Sequence, residues 1–246
     1  MTIDLVCVAN GESQHDYLRR GFAAFKASAE RHGLNPIILG WGQPWRGLGS
    51  KPKLLKRAIE DGTIKSEFIL FADAFDVVFA GGRDEIVERW ATAFNGHKIT
   101  WNAETNCFPD ANLAAFHPPS PSPWRYFNSG LSIGLTEAYL AIFDQMGVDA
   151  WPDDFIKPDG QWHHTNDQGE LMNKFLFGQC GEHEPRMNLD TGCVLFQTLV
   201  GVPADILAIE DGRIRNTVTN SHPVVFHANG PKESEVYHKV LQHYGF

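Results

Sequence analysis

The stretch Phe68-Ile69-Leu70-Phe71-Ala72-Asp73-Ala74-Phe75-Asp76-Val77-Val78-Phe79 constrains this chain more than any other. Its apolar run is too uniform for a half-solvated strand and reads as one covered on both faces, as in a parallel sheet. Asp73 and Asp76 stand where such a strand ends. Open α/β sheets bind ligands beyond the carboxyl ends of their strands, so both carboxylates fall where a site belongs. A tight turn converges them on one point, where they repel unless a cation lies between. Hard divalent ions such as Mg²⁺ or Mn²⁺ suit oxygen ligands. The same residues equally suit helix capping in water, and their spacing does not separate the two roles.

The chain has 246 residues, of which 43% are hydrophobic, enough for a sizeable core. No Pro/Gly/Ser linker or charge run divides it, so residues 1–246 read as a single α/β domain. A net charge of -9 without a local Lys/Arg cluster argues against a nucleic-acid partner. Cys7, Cys107, Cys180 and Cys193 form no CxxC and need not pair, which fits a reducing compartment. The first five residues lack a basic region and a long apolar one, and no apolar run reaches membrane-spanning length. The expectation is a soluble, cytoplasmic protein with no membrane partner.

In chain order, Ile3 to Ala9 reads as a strand, Asp16 to His32 as a helix closed by Gly33, and Pro36 to Leu39 as a second strand. This unit predicts a parallel crossover. Gly40 to Lys51 is glycine-rich, carries Trp41 and Trp45, and runs into a helix from about Pro52 to Glu60. Glycines let backbone approach a ligand, and a helix start offers N–H groups to phosphate. An ordinary loop whose Trp residues fill a core gap fits the same pattern. Asp84 to Phe94 is helical, and Lys98 to Ala103 is a strand ending at Glu104.

The long loop from Thr105 to Arg125 has the length of a lid or binding loop, with Phe108, Phe116 and Trp124 as its expected rim. Tyr126 to Gly134 is a strand whose small residues, Ser129 and Gly130, mark a close approach. Thr136 to Met146 is helical. Thr165 and Gln168 fit a capping box for a helix reaching about Phe177, leaving Asp167 in its first turn, where the helix dipole favours it. The strand from Pro223 ends in His227 and is followed by Ala228, Asn229, Gly230, Pro231 and Lys232, which again puts polar groups at a strand's carboxyl end.

These pieces resemble, together and in order, the glycosyltransferase domain of the multifunctional procollagen lysyl hydroxylases. The resemblance runs through Trp45-Arg46-Gly47, the approach to Lys51, Phe71 to Val77, and Ala103-Glu104 with Cys107 to Asp110. It continues through Phe127 to Gly130, Asp167-Gln168, Leu189-Asp190 with Phe196-Gln197, and His227 to Pro231. It implies a GT-A fold, a Rossmann-like and mostly parallel sheet flanked by helices, holding a UDP-sugar with Mn²⁺. It does not extend to lysine hydroxylation.

On this resemblance Asp73, Asp76 and His227 are the Mn²⁺ ligands. Trp45, Lys51, Asn229 and Gly230 contact the nucleotide and its phosphates, Phe75 stacks near uracil, and Lys232 supplies further positive charge. Glu104, Asn166 and Asp167 fall at the sugar-transfer positions, Asn166 where the family has an aspartate and Phe108 where it has a Trp. The donor implied is UDP-glucose or UDP-galactose, and the acceptor a hydroxyl on a glycan or collagen-like peptide. Two other classes remain open at this level: a metal phosphohydrolase, although the first strand ends in Asn10-Gly11 with no nucleophilic Asp, and a non-catalytic sugar-binding module.

Overall fold

The computed structural model describes residues 2–11, 13–178, 186–230 and 234–246. Ile3–Val8 (β1) and Ile37–Leu39 (β2) are parallel, joined by the helix Asp16–Arg31 (α1), so the expected crossover unit is present. Gly21, Phe22, Phe25 and Ala29 lie on the buried face of α1, at the three-and-four spacing of one helical stripe. Ser50–Glu60 (α2) and Phe68–Ala72 (β3) follow, then Val77–Phe79 (β4), Arg83–Ala93 (α3), Ile99–Glu104 (β5), Tyr126–Leu135 (β6) and Thr136–Met146 (α4). Phe155–Ile156 (β7) and Trp162–His163 (β8) form a short antiparallel hairpin. Asp167–Phe177 (α5), Met187–Asp190 (β9), Phe196–Thr198 (β10), Leu207–Glu210 (β11), Arg213–Asn216 (β12), Val225–His227 (β13) and Glu235–Tyr244 (α6) complete the order.

Six strands make the main sheet, in the order β2-β1-β3-β6-β5-β9. Neighbours are parallel except at β6, which runs against both β3 and β5. The other carboxyl ends therefore share one edge, and the first half of β6 lies beside them. Alternate residues of β1 serve two cores. Leu5 and Cys7 pack with Phe22 and Phe25, while Val6 and Val8 pack with Leu55 and Ala58 on the opposite face. All five residues of β3 are buried, and truncating one of its phenylalanines to Ala would cost about 3–5 kcal/mol.

Two expectations need correction. The apolar run from Phe68 is two strands, because Val77–Phe79 leaves the main sheet and joins a three-stranded sheet, β10-β13-β4. Both halves are buried, so nothing but the aspartates marks the crossing. Nor do Thr165 and Gln168 form a capping box. Asn166 is the N-cap of α5, its side-chain oxygen accepting from Gly169 N at 3.0 Å. Asn caps as well as Thr does, and Gln168 is left for another task. Among the described residues, no helix is long and apolar enough to cross a membrane.

Candidate active site

The segment from Asp73 to Asp76 is the passage between the two sheets. Asp73 N donates to Gly130 O at 2.8 Å, tying the start of the turn to β6. Its far side presses on α1, where a Cβ on Gly21 would stand 1.8 Å from Phe75 O, a closeness that only glycine admits. β13 then pairs antiparallel with β4, setting His227 opposite Val77, and Ala228 N donates to Asp76 O at 2.8 Å. This register delivers the imidazole. His227 Nε2 lies 3.3 Å from Asp76 Oδ2 and 3.8 Å from Asp73 Oδ2.

One ligand atom from each of the three residues lies within 4.8 Å of the others. Donors about 2.1 Å from one small divalent ion stand at most about 4.2 Å apart, so both histidine–carboxylate separations suit an ion between them. Gly130 keeps that space open. A Cβ there would lie 2.1 Å from His227 Cε1 and 2.9 Å from Asp73 Oδ2. The glycine foreseen as a close approach is the floor of the cluster, and the residues fit a divalent ion.

A buried cation borders it. Lys51 Nζ lies 2.9 Å from Asp73 Oδ1 and 3.2 Å from Asp167 Oδ2. Burial opposes its ammonium, but the charges of Asp167 and Asp73 more than offset this and hold the pKa above the usual lysine value. The Asp167 carboxyl is pushed up by burial, with the Lys51 charge pulling the other way. Ser129 Oγ also donates to Asp167 Oδ2, at 3.2 Å.

Glu104 is gripped by three amides. Gln168 Nε2 and Asn128 Nδ2 donate to Oε1 at 2.8 and 3.2 Å, and Asn229 Nδ2 donates to Oε2 at 2.7 Å. Burial raises its pKa and these donors oppose the rise. Asn229 Oδ1 accepts in turn from Leu199 N and Val200 N. The bond from Gln168 explains why it is unavailable for capping.

Two cavities flank the cluster. One, of about 440 Å³, is lined by Glu104, Asn106, Phe108, Asn128, Asp167, Asn229 and Gly230 among others. The second, of about 470 Å³, is lined by Val8, Asn10, Trp45 and Phe75. Leu48, Lys51, Asp73 and Asp76 line both. Trp45 and Phe75 thus share one cavity, while Asn229 and Gly230 lie in the other with Glu104 and Asp167. Asn166 borders the cavity of Glu104 and Asp167, with its side-chain oxygen committed to the cap. Lys232 lies outside the described residues.

Trp41 and Trp45 are about half exposed, so the gap-filling reading of that loop does not hold. Of the three aromatic residues expected at the rim, only Phe108 lines the cleft. Trp124 is fully buried, and Phe116 packs edge-on against Phe177, bordering a different cavity. Length marks the loop as a candidate rim, but does not say which of its faces meets the core. Asn128, Ser129 and Gln168 were legible only as members of motifs; their partners are set by folding.

Comparison with known proteins bears on the family and the fold. Over 223 residues the chain is 32% identical to procollagen-lysine,2-oxoglutarate 5-dioxygenase 2 of Mus musculus, covering 86% of this chain and 28% of that protein. Over 245 residues it is 28% identical to the human multifunctional procollagen lysine hydroxylase and glycosyltransferase LH3, covering 94% of this chain and 30% of that one. It therefore spans less than a third of these relatives. The solved structure of the galactosyltransferase LgtC with donor and acceptor sugar analogs superposes with a TM-score of 0.52 at 13% identity, covering 98% of this chain and 95% of that one. The fold is GT-A, as the resemblance implied. The family model described as the PLOD GT domain matches residues 3–244, and the chain belongs to that family of glycosyltransferase domains.

Proposed function

We propose that this domain transfers glucose or galactose from a UDP-sugar to a hydroxyl acceptor with the help of Mn²⁺. The observation that carries the reading is the pair of cavities sharing one wall of Lys51, Asp73 and Asp76. A nucleotide sugar has two bulky ends joined by a diphosphate, and two cavities joined at a cationic and metal-fit wall match that shape. The nucleoside lies in the cavity of Val8, Asn10, Trp45 and Phe75. The hexose lies in the cavity of Glu104 and Asp167. In the transfer the bond between the anomeric carbon and the β-phosphate oxygen breaks, its electron pair leaving on UDP. A bond to the acceptor oxygen forms, and one proton is released.

Asp73, Asp76 and His227 would hold the ion, and the imidazole among oxygen ligands favours Mn²⁺ modestly over Mg²⁺. Such an ion, when bound, stabilises the negative charge that develops on a leaving diphosphate. Lys51 adds a fixed positive charge at the same wall. Asp167 has its Oδ2 taken by Lys51 and Ser129, so Oδ1 is the atom offered to a sugar hydroxyl. Glu104, immobilised by its amides, presents a fixed acceptor on the far side of that cavity.

Phe108, more than half exposed at the mouth of the hexose cavity, supplies an apolar face for the acceptor. The names of the relatives make hydroxylysine or galactosyl-hydroxylysine in a collagen-like peptide the first acceptor to try. Release of UDP from a panel of UDP-sugars, with Mn²⁺ and then with EDTA, tests the proposal. Turnover of UDP-glucose or UDP-galactose that EDTA abolishes supports it, and turnover indifferent to EDTA contradicts it.

A further inference from the structure

Behind the imidazole of His227 lies a second buried amide, that of Asn102. Asn102 is fully buried within β5. It stands where the β5–β6 register slips, with Trp101 opposite Ser132 and Asn102 opposite Asn128. A buried amide is costly unless both its ends find partners. One end of this amide lies 3.1 Å from His227 Nδ1. The other lies 2.7 Å from Asn128 O, 3.0 Å from Asn128 Oδ1 and 3.3 Å from Leu131 O.

Two arrangements satisfy the contact with the ring. In the first, the amide nitrogen donates to a bare Nδ1, and His227 carries its proton on Nε2. The amide oxygen of Asn102 then faces oxygens of Asn128 and Leu131 as close as 2.7 Å with no hydrogen between them, which is repulsive. In the second, the amide oxygen accepts from Nδ1–H, and the nitrogen donates to Asn128. Both ends of the Asn102 amide then have a partner, with one oxygen–oxygen contact of 3.2 Å to Asn128 Oδ1 in place of three, and the hydrogen-bond inventory selects this arrangement. With the proton held on Nδ1, Nε2 is the atom left to offer a lone pair to a cation, and it lies 3.3 Å from Asp76 Oδ2 and 3.8 Å from Asp73 Oδ2.

We infer that Asn102 is a positioning residue: it holds His227 as the Nδ1–H tautomer and so presents the Nε2 lone pair to a cation between Asp73 and Asp76. A second hydrogen bond that fixes tautomer and ring orientation is how metal-ligating histidines are commonly prepared. Here the device is a neutral amide rather than a carboxylate. It adds no negative charge to a site that already holds two aspartates. The slip in register gives the arrangement its reach, because it sets Asn128 beside Asn102 while Gly130 stays open beneath the ring. The inference rests on the metal reading proposed above.

Two measurements on the full chain test it. Nitrogen-15 NMR of the metal-free protein, with the His227 signals assigned by their loss in His227→Gln, reads the tautomer directly. A proton on Nδ1 is expected, and a bare Nδ1 with the proton on Nε2 alone overturns the inference without any variant at Asn102 needing to fold. Mn²⁺ titration followed by electron paramagnetic resonance then compares the wild type with Asn102→Leu. Weakening of about 10–100-fold is expected from loss of such a supporting hydrogen bond, and unchanged affinity in a folded Asn102→Leu overturns the inference. If the wild type binds no divalent ion, the metal reading fails by itself, while the tautomer measurement still judges the hydrogen bond.

Discussion

Lys51 Nζ lies 3.2 Å from Asp167 Oδ2, and both side chains are buried. Asp167 sits in the first turn of α5, yet its Oδ2 is committed to Lys51 and Ser129 rather than to the helix end, which leaves Oδ1 for the hexose. Were it only complementing the helix dipole, Asp167→Asn would cost about 0.3–1 kcal/mol and leave turnover alone. The geometry instead predicts a fall in kcat of a hundredfold or more, with UDP affinity barely changed, because the lost contact matters at the hexose. Steady-state kinetics with a parallel UDP titration decides between the two. The complementary change, Lys51→Met, strands Asp167 in the interior and is expected to cost on the order of 3 kcal/mol, read by urea unfolding.

Gly130 offers a sharper test of the cluster. Its missing side chain is where His227 Cε1 sits, 2.1 Å from the position of a Cβ. Gly130→Ala should displace the ring and abolish Mn²⁺ binding, measured by electron paramagnetic resonance, while circular dichroism remains that of a folded protein. Retained binding at wild-type affinity would mean that the imidazole is not a ligand.

His117 makes the structure sensitive to acid. It is buried, its Nδ1 contacts Leu113 O at 3.2 Å, and its Nε2 accepts from Phe127 N at 3.2 Å. The ring is therefore neutral, donating at Nδ1 and accepting at Nε2, and it pins the 105–125 loop to β6. Burial lowers its pKa, a lowering to which the Arg125 charge adds and which the bond to Leu113 opposes. A depressed folded pKa means that this contribution is intact above the unfolded value, about 6.5, and is lost as pH falls through the lower folded value. Urea unfolding at pH 7.5 and pH 5 should show the stability gap between wild type and His117→Phe narrowing in acid. A constant gap would contradict the assignment.

Asp190 predicts a purely structural loss. Its carboxylate accepts from Val194 N, Leu195 N and Phe196 N at 2.9, 2.7 and 2.9 Å, folding the chain from β9 into β10. Each buried N–H left without an acceptor costs about 1–3 kcal/mol. Asp190→Ala is therefore expected to lose several kcal/mol, which at this chain length lowers Tm by roughly 10 °C. Calorimetry would refute this by finding a shift of only a degree or two.

Local chemistry made much of this fold legible. α1, β3, β6 and α4 announce themselves by period, run length and capping, and Asp73 with Asp76 by their place after an apolar run. Hidden from the sequence were the features that depend on pairing between distant strands. Val77 to Phe79 reads as a continuation of β3, because residues buried in either sheet are equally apolar. His227 joins the aspartates only through the β4–β13 register. Asn102 sits as one polar residue in a strand, and nothing local says that its partner lies 125 positions away. Trp124 and Phe116 likewise have the composition of a binding rim, but the loop turns them inward and outward of the cleft.

The central claim is that a divalent ion between Asp73, Asp76 and His227 joins two cavities into one donor site. A crystal structure of the protein with Mn²⁺ and UDP, phased to locate manganese by its anomalous scattering, tests this most directly. The account predicts one strong anomalous peak within bonding distance of His227 Nε2 and both aspartates, the diphosphate near Lys51, and uracil in the cavity lined by Val8, Asn10, Trp45 and Phe75. Manganese bound elsewhere, or uracil in the cavity of Glu104 and Asp167, would contradict it.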